Sequence, residues 1–262
     1  MSRLDGKIVT MTGAAGGLGA PVARLLREAG ARVIGIDRSA CPACDESVIT
    51  DLSDEAALAA LADRLGRQTP DILVNIAGVM RFGLHETQPV DALALCYRVN
   101  LLVPAVLARA VMPAMKARGT GQIVTIGSVL GAVPYPWFAA YSSIKAGLAA
   151  LAQALRRELA GSGVSVTHIN PRAARTALNN AQVNRFLEIT GMKADEPEWV
   201  ARRIVAAVGD PAIGLQQHCR TQIPVTVPPV AGAGGGAAEA QDALPQPVQL
   251  RPFLRRLQPL AV

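Results

Sequence analysis

KIVTMTGAAGGLGAPVARLLREAGARVIGID, residues 7–37, is the stretch that decides the fold. Lys7 to Thr12 is an apolar run of strand length, and Gly13 to Gly19 follows it as a turn built of small residues. From Ala20 to Ala29 the apolar positions Val22, Leu25 and Leu26 recur at helical spacing, with Pro21 tolerated because first-turn N–H groups lack intrahelical partners. Arg32 to Ile36 is a second apolar run, closed by Asp37. Strand, turn, helix and strand in this order form a βαβ unit, whose crossover is right-handed and whose strands are parallel.

The same alternation continues outward. Glu55 to Leu65 reads as an Ala/Leu helix, and Ile72 to Asn75 as a third strand ending at Ala77-Gly78. A helical region spans Val90 to Lys116, where Pro104 and Pro113 are expected to bend or interrupt it. Gln122 to Ile126 is the fourth strand, Tyr141 to Leu159 a helix, Val164 to Ile169 the fifth strand, and Pro197 to Val208 a last helix. The expectation is an α/β fold, a doubly wound parallel sheet of the Rossmann type, in a single domain over residues 1–208. Beyond it the pattern stops: 8 of the last 54 residues are proline, against 10 in the preceding 208. Residues 209–262 read as a Pro/Gly/Ala-rich tail, partly disordered or contributing a last strand, with Ile223 to Val227 strand-like but weakened by Pro224. The abruptness of the change raises a second reading, that the tail is not in the domain's own reading frame.

Composition narrows the classes. Half of the 262 residues are hydrophobic but only 3% are aromatic, the usual make-up of a parallel sheet covered on both faces. The net charge of +6 is mild, and no Lys/Arg run is interleaved with aromatics, which argues against nucleic-acid binding. No basic-then-apolar leader opens the chain, and no uncharged stretch approaches the length of a membrane span. Cys41 and Cys44 form one Cys-x-x-Cys, read as two solvent-facing thiols in a turn, while Cys96 and Cys219 stand alone, so no metal set is expected. These features favour a cytoplasmic protein without membrane insertion.

The glycine turn lies where backbone N–H groups and a helix N-terminus meet a pyrophosphate. No Gly-Lys-Ser/Thr follows, which argues against a triphosphate loop. Asp37 stands 18 positions after Gly19 at the end of the second strand; a carboxylate there accepts from ribose hydroxyls and repels a 2′-phosphate. Arg38 pulls the other way, but no basic residue lies in the turn, so NAD is favoured over NADP. The plainer account of Asp37 is a solvated strand-end acid.

Tyr141 and Lys145 are four apart on one helical face. An ordinary phenol, with a pKa of about 10, is a poor base at neutral pH; an adjacent ammonium lowering it by about 3 units supplies roughly 4 kcal/mol. That spacing alone also suits a solvated helix face. Ser128, just past the fourth strand, adds a hydroxyl at the carboxyl edge where parallel sheets bind ligands. Ser142 and Ser143 are rival hydroxyls on the Tyr141 helix and are assigned structural roles.

Taken together, these residues resemble the short-chain dehydrogenase/reductase family. The match runs through Thr12 to Gly19 as TGxxxGxG, Asp51-Leu52, Asn75-Ile76-Ala77-Gly78 in place of NNAG, Asn100, Ser128, and Tyr141-Ser142-Ser143-Ile144-Lys145, covering about residues 5–208. The resemblance implies that Tyr141 is the general acid/base, that Lys145 lowers its pKa and binds the nicotinamide ribose, and that Ser128 stabilises the substrate oxygen. It further implies that Asn100 holds a water linking Lys145 to solvent, and that Asp51, with Leu52, contacts the adenine. Cofactor binding would then fall on Gly13, Gly16, Gly17, Leu18, Gly19, Asp37, Asn75, Ala77, Gly78, Tyr141, Lys145, Pro171 and Thr176, in a homodimer or homotetramer. Two departures stand out. Pro171-Arg172 replaces the usual Pro-Gly, and arginine adopts positive φ less cheaply than glycine. The family's last strand has no clear counterpart in the tail.

Val129, Leu130, Val133, Tyr135, Trp137 and Phe138 concentrate the scarce aromatics after Ser128. Lining a pocket mouth, they favour an apolar ketone or secondary alcohol; the plainer account is loop packing against residues 171–195, a candidate lid with a helical patch at Val183 to Ile189. Arg172, Arg175, Arg185 and Lys193 offer attraction for an anionic substrate, or simply surface charge. The sequence therefore reads as an oxidoreductase acting on a small carbonyl or alcohol without a metal. An epimerase or dehydratase on the same site, or a non-catalytic nucleotide-binding scaffold or sensor, are the rival readings.

Overall fold

The computed structural model describes residues 3–210 and 217–218. Among these, seven parallel strands form one sheet: β1 (Ile8–Thr12), β2 (Arg32–Asp37), β3 (Glu46–Ile49), β4 (Ile72–Asn75), β5 (Gly121–Ile126), β6 (Val164–Asn170) and β7 (Gln217–His218), in the order β3-β2-β1-β4-β5-β6-β7. The chain winds outward from β1 to β3, then crosses back to β4 and winds the other way. The carboxyl ends of β1 and β4 therefore flank the point where the winding reverses, where open sheets of this kind bind ligands.

Helices α1 (Gly19–Glu28) and α7 (Pro197–Ala207) cover one face. Val22 and Leu26 of α1 and Ile204 of α7 meet Val9, Met11 and Val74 of the strands. On the other face lie α2 (Glu55–Arg67), α4 (Val103–Ala117) and α5 (Ala139–Glu158), where Leu58, Leu61, Leu107, Val111 and Ala152 cover Ile36, Leu73 and Ile123. All four residues of β4 are buried, as a central strand covered on both sides requires. Helix α2 starts where Asp54 accepts the Ala57 N–H at 2.7 Å.

Three features depart from expectation. β3 is an extra strand on the sheet edge, pairing Ile34–Asp37 with Glu46–Ile49; its alternate residues are half-buried and exposed. The middle helix is not broken at its prolines: α3 (Val90–Tyr97) passes into a π-helical turn, Arg98–Leu102, before α4. Pro104 falls just after that turn, in a helix continuous through Leu102, and Pro113 is carried inside α4. The 28-residue stretch Val90–Ala117 is long and apolar enough to cross a membrane, yet Val103, Leu107, Ala108, Val111 and Met115 bury its α4 part against the sheet. Finally, Cys41 is buried and its thiol donates to the Ala14 carbonyl at 3.1 Å, while Cys44 is half-buried, so the pair is packed under the glycine turn and does not face solvent. The strand-like segment Ile223 to Val227, Cys219 and the reading-frame question lie outside the described residues.

Candidate active site

The glycine turn joins β1 to α1 at the switch point. A Cβ on Gly19 would sit 1.9 Å from the Gly13 carbonyl oxygen, so no side chain fits this crossing of turn and helix. Gly16 and Gly17 are exposed on top, and a Cβ on Gly17 would come within 3.0 Å of Thr176, which brings the segment after Pro171 over the turn. Leu18 precedes α1 without a side-chain cap, and no acid stands in the first turn, so the helix end is free to meet an anion. Asp37 points back at this turn: Oδ2 accepts the Ala15 N–H at 3.0 Å and Oδ1 the Arg38 N–H at 2.7 Å. Thr12 Oγ1 accepts the N–H groups of Ile76 and Ala77, both at 3.2 Å, tying the end of β1 to the Asn75–Gly78 turn. Asn75 is buried and its Oδ1 has no partner. Asp51 is exposed, its carboxylate held below the usual range by the Ser53 hydroxyl and N–H, and Leu52 beside it is buried. A small-residue cradle, an uncapped helix end and a strand-end carboxylate together fit an adenine dinucleotide.

On the neighbouring strands, α5 carries Tyr141 and Lys145 one turn apart, and both are buried. Lys145 Nζ lies 5.5 Å from the Tyr141 ring centroid and donates to the Ile126 carbonyl, at the carboxyl end of β5, at 2.8 Å. Ser128 follows two residues later; its Oγ accepts the Leu130 N–H at 3.2 Å, and the side chain lies close enough to the Tyr141 phenol to favour its ionised form. Asn100 sits in the π-helical turn, donating to the carbonyls of Val79 at 2.7 Å and Cys96 at 2.9 Å, with Oδ1 buried and unpartnered. A π-helical turn replaces the regular ladder locally and is a frequent mark of functional positions.

The electrostatics correct one expectation. Burial, aided by Cys96, pushes the Tyr141 phenol above its ordinary value, with the nearby Ser128 hydroxyl opposing it. Lys145 is itself pushed down to about 8 by burial. Desolvation disfavours the charged form of each. Burial thus moves the phenol up and the amine down, opposite to the lowering of the phenol expected from the lysine alone.

The aromatics after Ser128 close over the tyrosine. Phe82, Trp137, Phe138, Tyr141, Val183 and Phe186 form one cluster, and Phe186, fully buried, makes edge contacts with Phe82, Tyr135, Trp137 and Phe138. The loop thus packs against α6 (Ala181–Thr190), the helix expected from the lid segment. Trp137 holds a φ of 65°, a conformation costly for a bulky residue. Arg172 does not adopt positive φ; its guanidinium pairs with Asp195 at the base of the lid. Pro171 lies buried at the end of β6, its carbonyl accepting the Val129 N–H at 3.1 Å. The sequence pattern gives no reason to single out Thr125, His168 or Asn170, which lie directly behind Ser128; the one signal is polar residues in otherwise apolar strands.

A family model of the short chain dehydrogenases matches residues 7–185. This chain belongs to that family. The short-chain dehydrogenase is similar to the 3-oxoacyl-acyl-carrier-protein reductase of Vibrio cholerae, 31% identical over 219 residues that cover 77% of this chain and 89% of the other. It is also similar to the cis-4-hydroxycyclohexanecarboxylate dehydrogenase of Sinomonas cyclohexanicum, 34% identical over 212 residues, 75% of this chain and 81% of the relative. The crystal structure of a short-chain dehydrogenase from Streptomyces avermitilis superposes with a TM-score of 0.69 at 30% identity, covering 80% of this chain and 88% of that one. This dehydrogenase is therefore an oxidoreductase with a Rossmann-like parallel sheet, of a family that uses NAD(P) and acts on small molecules.

Proposed function

We propose that this dehydrogenase transfers hydride reversibly between NAD(H) and a secondary alcohol or ketone, with Ser128, Tyr141 and Lys145 as its catalytic residues. The observation that carries this reading is a buried phenol and a buried amine one helical turn apart at the carboxyl edge, with the buried Ser128 hydroxyl near the phenol. The bound nicotinamide supplies or accepts the hydride. Tyr141, protonated in the free chain, gives its proton to the substrate oxygen in reduction and takes it back in oxidation. Ser128 holds that oxygen beside the phenol. As the phenol loses its proton, the Lys145 ammonium 5.5 Å from the ring centre stabilises the charge by about 3 kcal/mol at an effective dielectric near 20. Asn100, both of whose amide protons are committed, presents Oδ1 to a water on the path from Lys145 to solvent.

Asp37 favours NAD over NADP, since a 2′-phosphate would face its carboxylate. Asp51 and Leu52 lie toward the adenine end, and Thr176 above the pyrophosphate. The substrate is apolar. Arg172, Arg175 and Arg185 are engaged by Asp195, Glu196 and Glu188 and offer little to an anion, while the wall beside Tyr141 is aromatic. The two named relatives act, by their names, on an oxoacyl carrier and on a hydroxycyclohexane acid, both of which carry the carbonyl or alcohol this site needs. Val90, Leu95, Tyr97 and Leu102 leave large apolar side chains exposed on one stretch, which supports a homodimer or homotetramer; a cytoplasmic location completes the proposal. Following NADH oxidation across ketones of graded size and polarity tests the reading: turnover that rises with apolar bulk supports it, and no NADH- or NADPH-linked turnover on any of them contradicts it.

A further inference from the structure

Behind Ser128 runs a buried polar chain that the proposed chemistry does not use. Asn170, the last residue of β6, accepts the Ser128 backbone N–H on Oδ1 at 3.1 Å. That bond fixes which end of the amide faces Ser128, because an N–H requires the oxygen. Two residues earlier on the same strand, His168 is 4% exposed, with Nδ1 and the Thr125 hydroxyl 2.8 Å apart across the β5–β6 pair. Its Nε2 is buried without a hydrogen bond of good geometry, although Asn170 lies close enough to raise the ring's basicity. Gly127 shows where the two side chains converge: a Cβ there would sit 2.1 Å from Asn170 Oδ1 and 2.5 Å from His168 Nε2. The chain has glycine at 127, where a side chain would part them.

The ring is neutral at physiological pH, held down to about 4 by burial, with Lys145 and Arg156 as the nearby positive charges. A neutral imidazole has one N–H to give. If Nδ1 held it, Nε2 would be an unpaired buried acceptor facing another acceptor. With the proton on Nε2, Thr125 donates to Nδ1 and a donor, not a second acceptor, lies near Asn170 Oδ1.

We propose that His168 is a positioning residue: relayed from Thr125, its Nε2–H holds the Asn170 amide, which in turn fixes the Ser128 backbone and sets Ser128 Oγ against Tyr141. The inference rests on the reading of Ser128 as the group that holds the substrate oxygen. The imidazole touches no reacting atom; it acts through Asn170 on the placement of one hydroxyl.

The test uses the full chain with NADH and a ketone that it turns over. His168→Leu and Thr125→Val are each expected to lower kcat about tenfold through misplacement of Ser128, with the NADH dissociation constant unchanged. His168→Gln, which keeps an N–H donor near the Nε2 position, is expected to recover most of that loss. In a Ser128→Ala background, His168→Leu should cost nothing further, because the hydroxyl it positions is gone. Normal kcat in Thr125→Val together with His168→Leu, or full additivity with Ser128→Ala, overturns the inference while leaving the catalytic reading intact. Should Ser128→Ala itself keep full turnover, the reading of Ser128 fails and the inference with it. If His168→Leu does not fold, Thr125→Val and His168→Gln decide the question: normal kcat in the first overturns the inference, and a tenfold loss in the first with kcat near wild type in the second supports it.

Discussion

Acid should destabilise this dehydrogenase through His168, and the size of the effect follows from its burial. The imidazole is 4% exposed and pushed down from 6.5 to about 4, chiefly because burial disfavours its charged form. In the unfolded chain the ring takes up a proton below its ordinary value, while in the folded chain it stays neutral until well below that. The unfolded state therefore binds more protons throughout this window, and stability is full above it and falls as the pH drops through it. Each pKa unit corresponds to about 1.36 kcal/mol, so the full loss is about 3 kcal/mol, of which about 2 kcal/mol is spent between pH 7 and pH 5. Against a typical domain stability of about 5–15 kcal/mol this is a large share. Urea unfolding of the wild type and of His168→Gln at both pH values isolates the effect, since the carboxylates that also titrate are common to both. The wild type is expected to lose about 2 kcal/mol more than the variant over that interval. Equal acid sensitivity in the two proteins would refute the assignment of a buried neutral imidazole.

Two further outcomes are expected. Asp37→Asn keeps an acceptor for the Ala15 N–H but removes the charge, and should shift the ratio of kcat/KM values toward NADPH by about tenfold, as partial relief of a carboxylate–phosphate repulsion; an unchanged ratio would place the cofactor's ribose elsewhere. Phe186→Ala empties the centre of the aromatic cluster and should cost about 3–5 kcal/mol in urea unfolding with an unchanged m-value; a cost under about 1 kcal/mol would mean that α6 is not anchored there.

The sheet is legible in the sequence because its buried strands are apolar throughout and its helices are amphipathic. β3 escapes because an edge strand needs only one face covered, and Glu46–Ile49 alternates half-buried with exposed residues over just four positions. The prolines of the middle helix mislead as well. Pro104 lacks the N–H that would pair the Asn100 carbonyl four residues earlier, and the chain passes through a π-helical turn there without breaking, while the Asn100 side chain is held by the Val79 carbonyl, a tertiary contact that no local pattern reveals. Tyr141 and Lys145 stand out by their helical spacing and Ser128 by its place just past a strand, but it is the family resemblance that ties the three into one site. Their protonation is not legible there. Spacing suggests that the lysine lowers the phenol, whereas burial pushes the phenol up and the amine down, and the burial of Tyr141 among the aromatics comes from tertiary packing. Likewise Cys41 has the sequence context of a loop thiol and serves as packing for the glycine turn.

Replacement of Tyr141 by phenylalanine offers the sharpest trial, because it deletes one oxygen from a buried ring and leaves the aromatic cluster in place. The proposed chemistry requires that the variant bind NADH with an affinity close to that of the wild type while ketone reduction falls by at least about a hundredfold, the usual contribution of a positioned proton donor. Turnover within a few-fold of the wild type, with NADH binding intact, would contradict it.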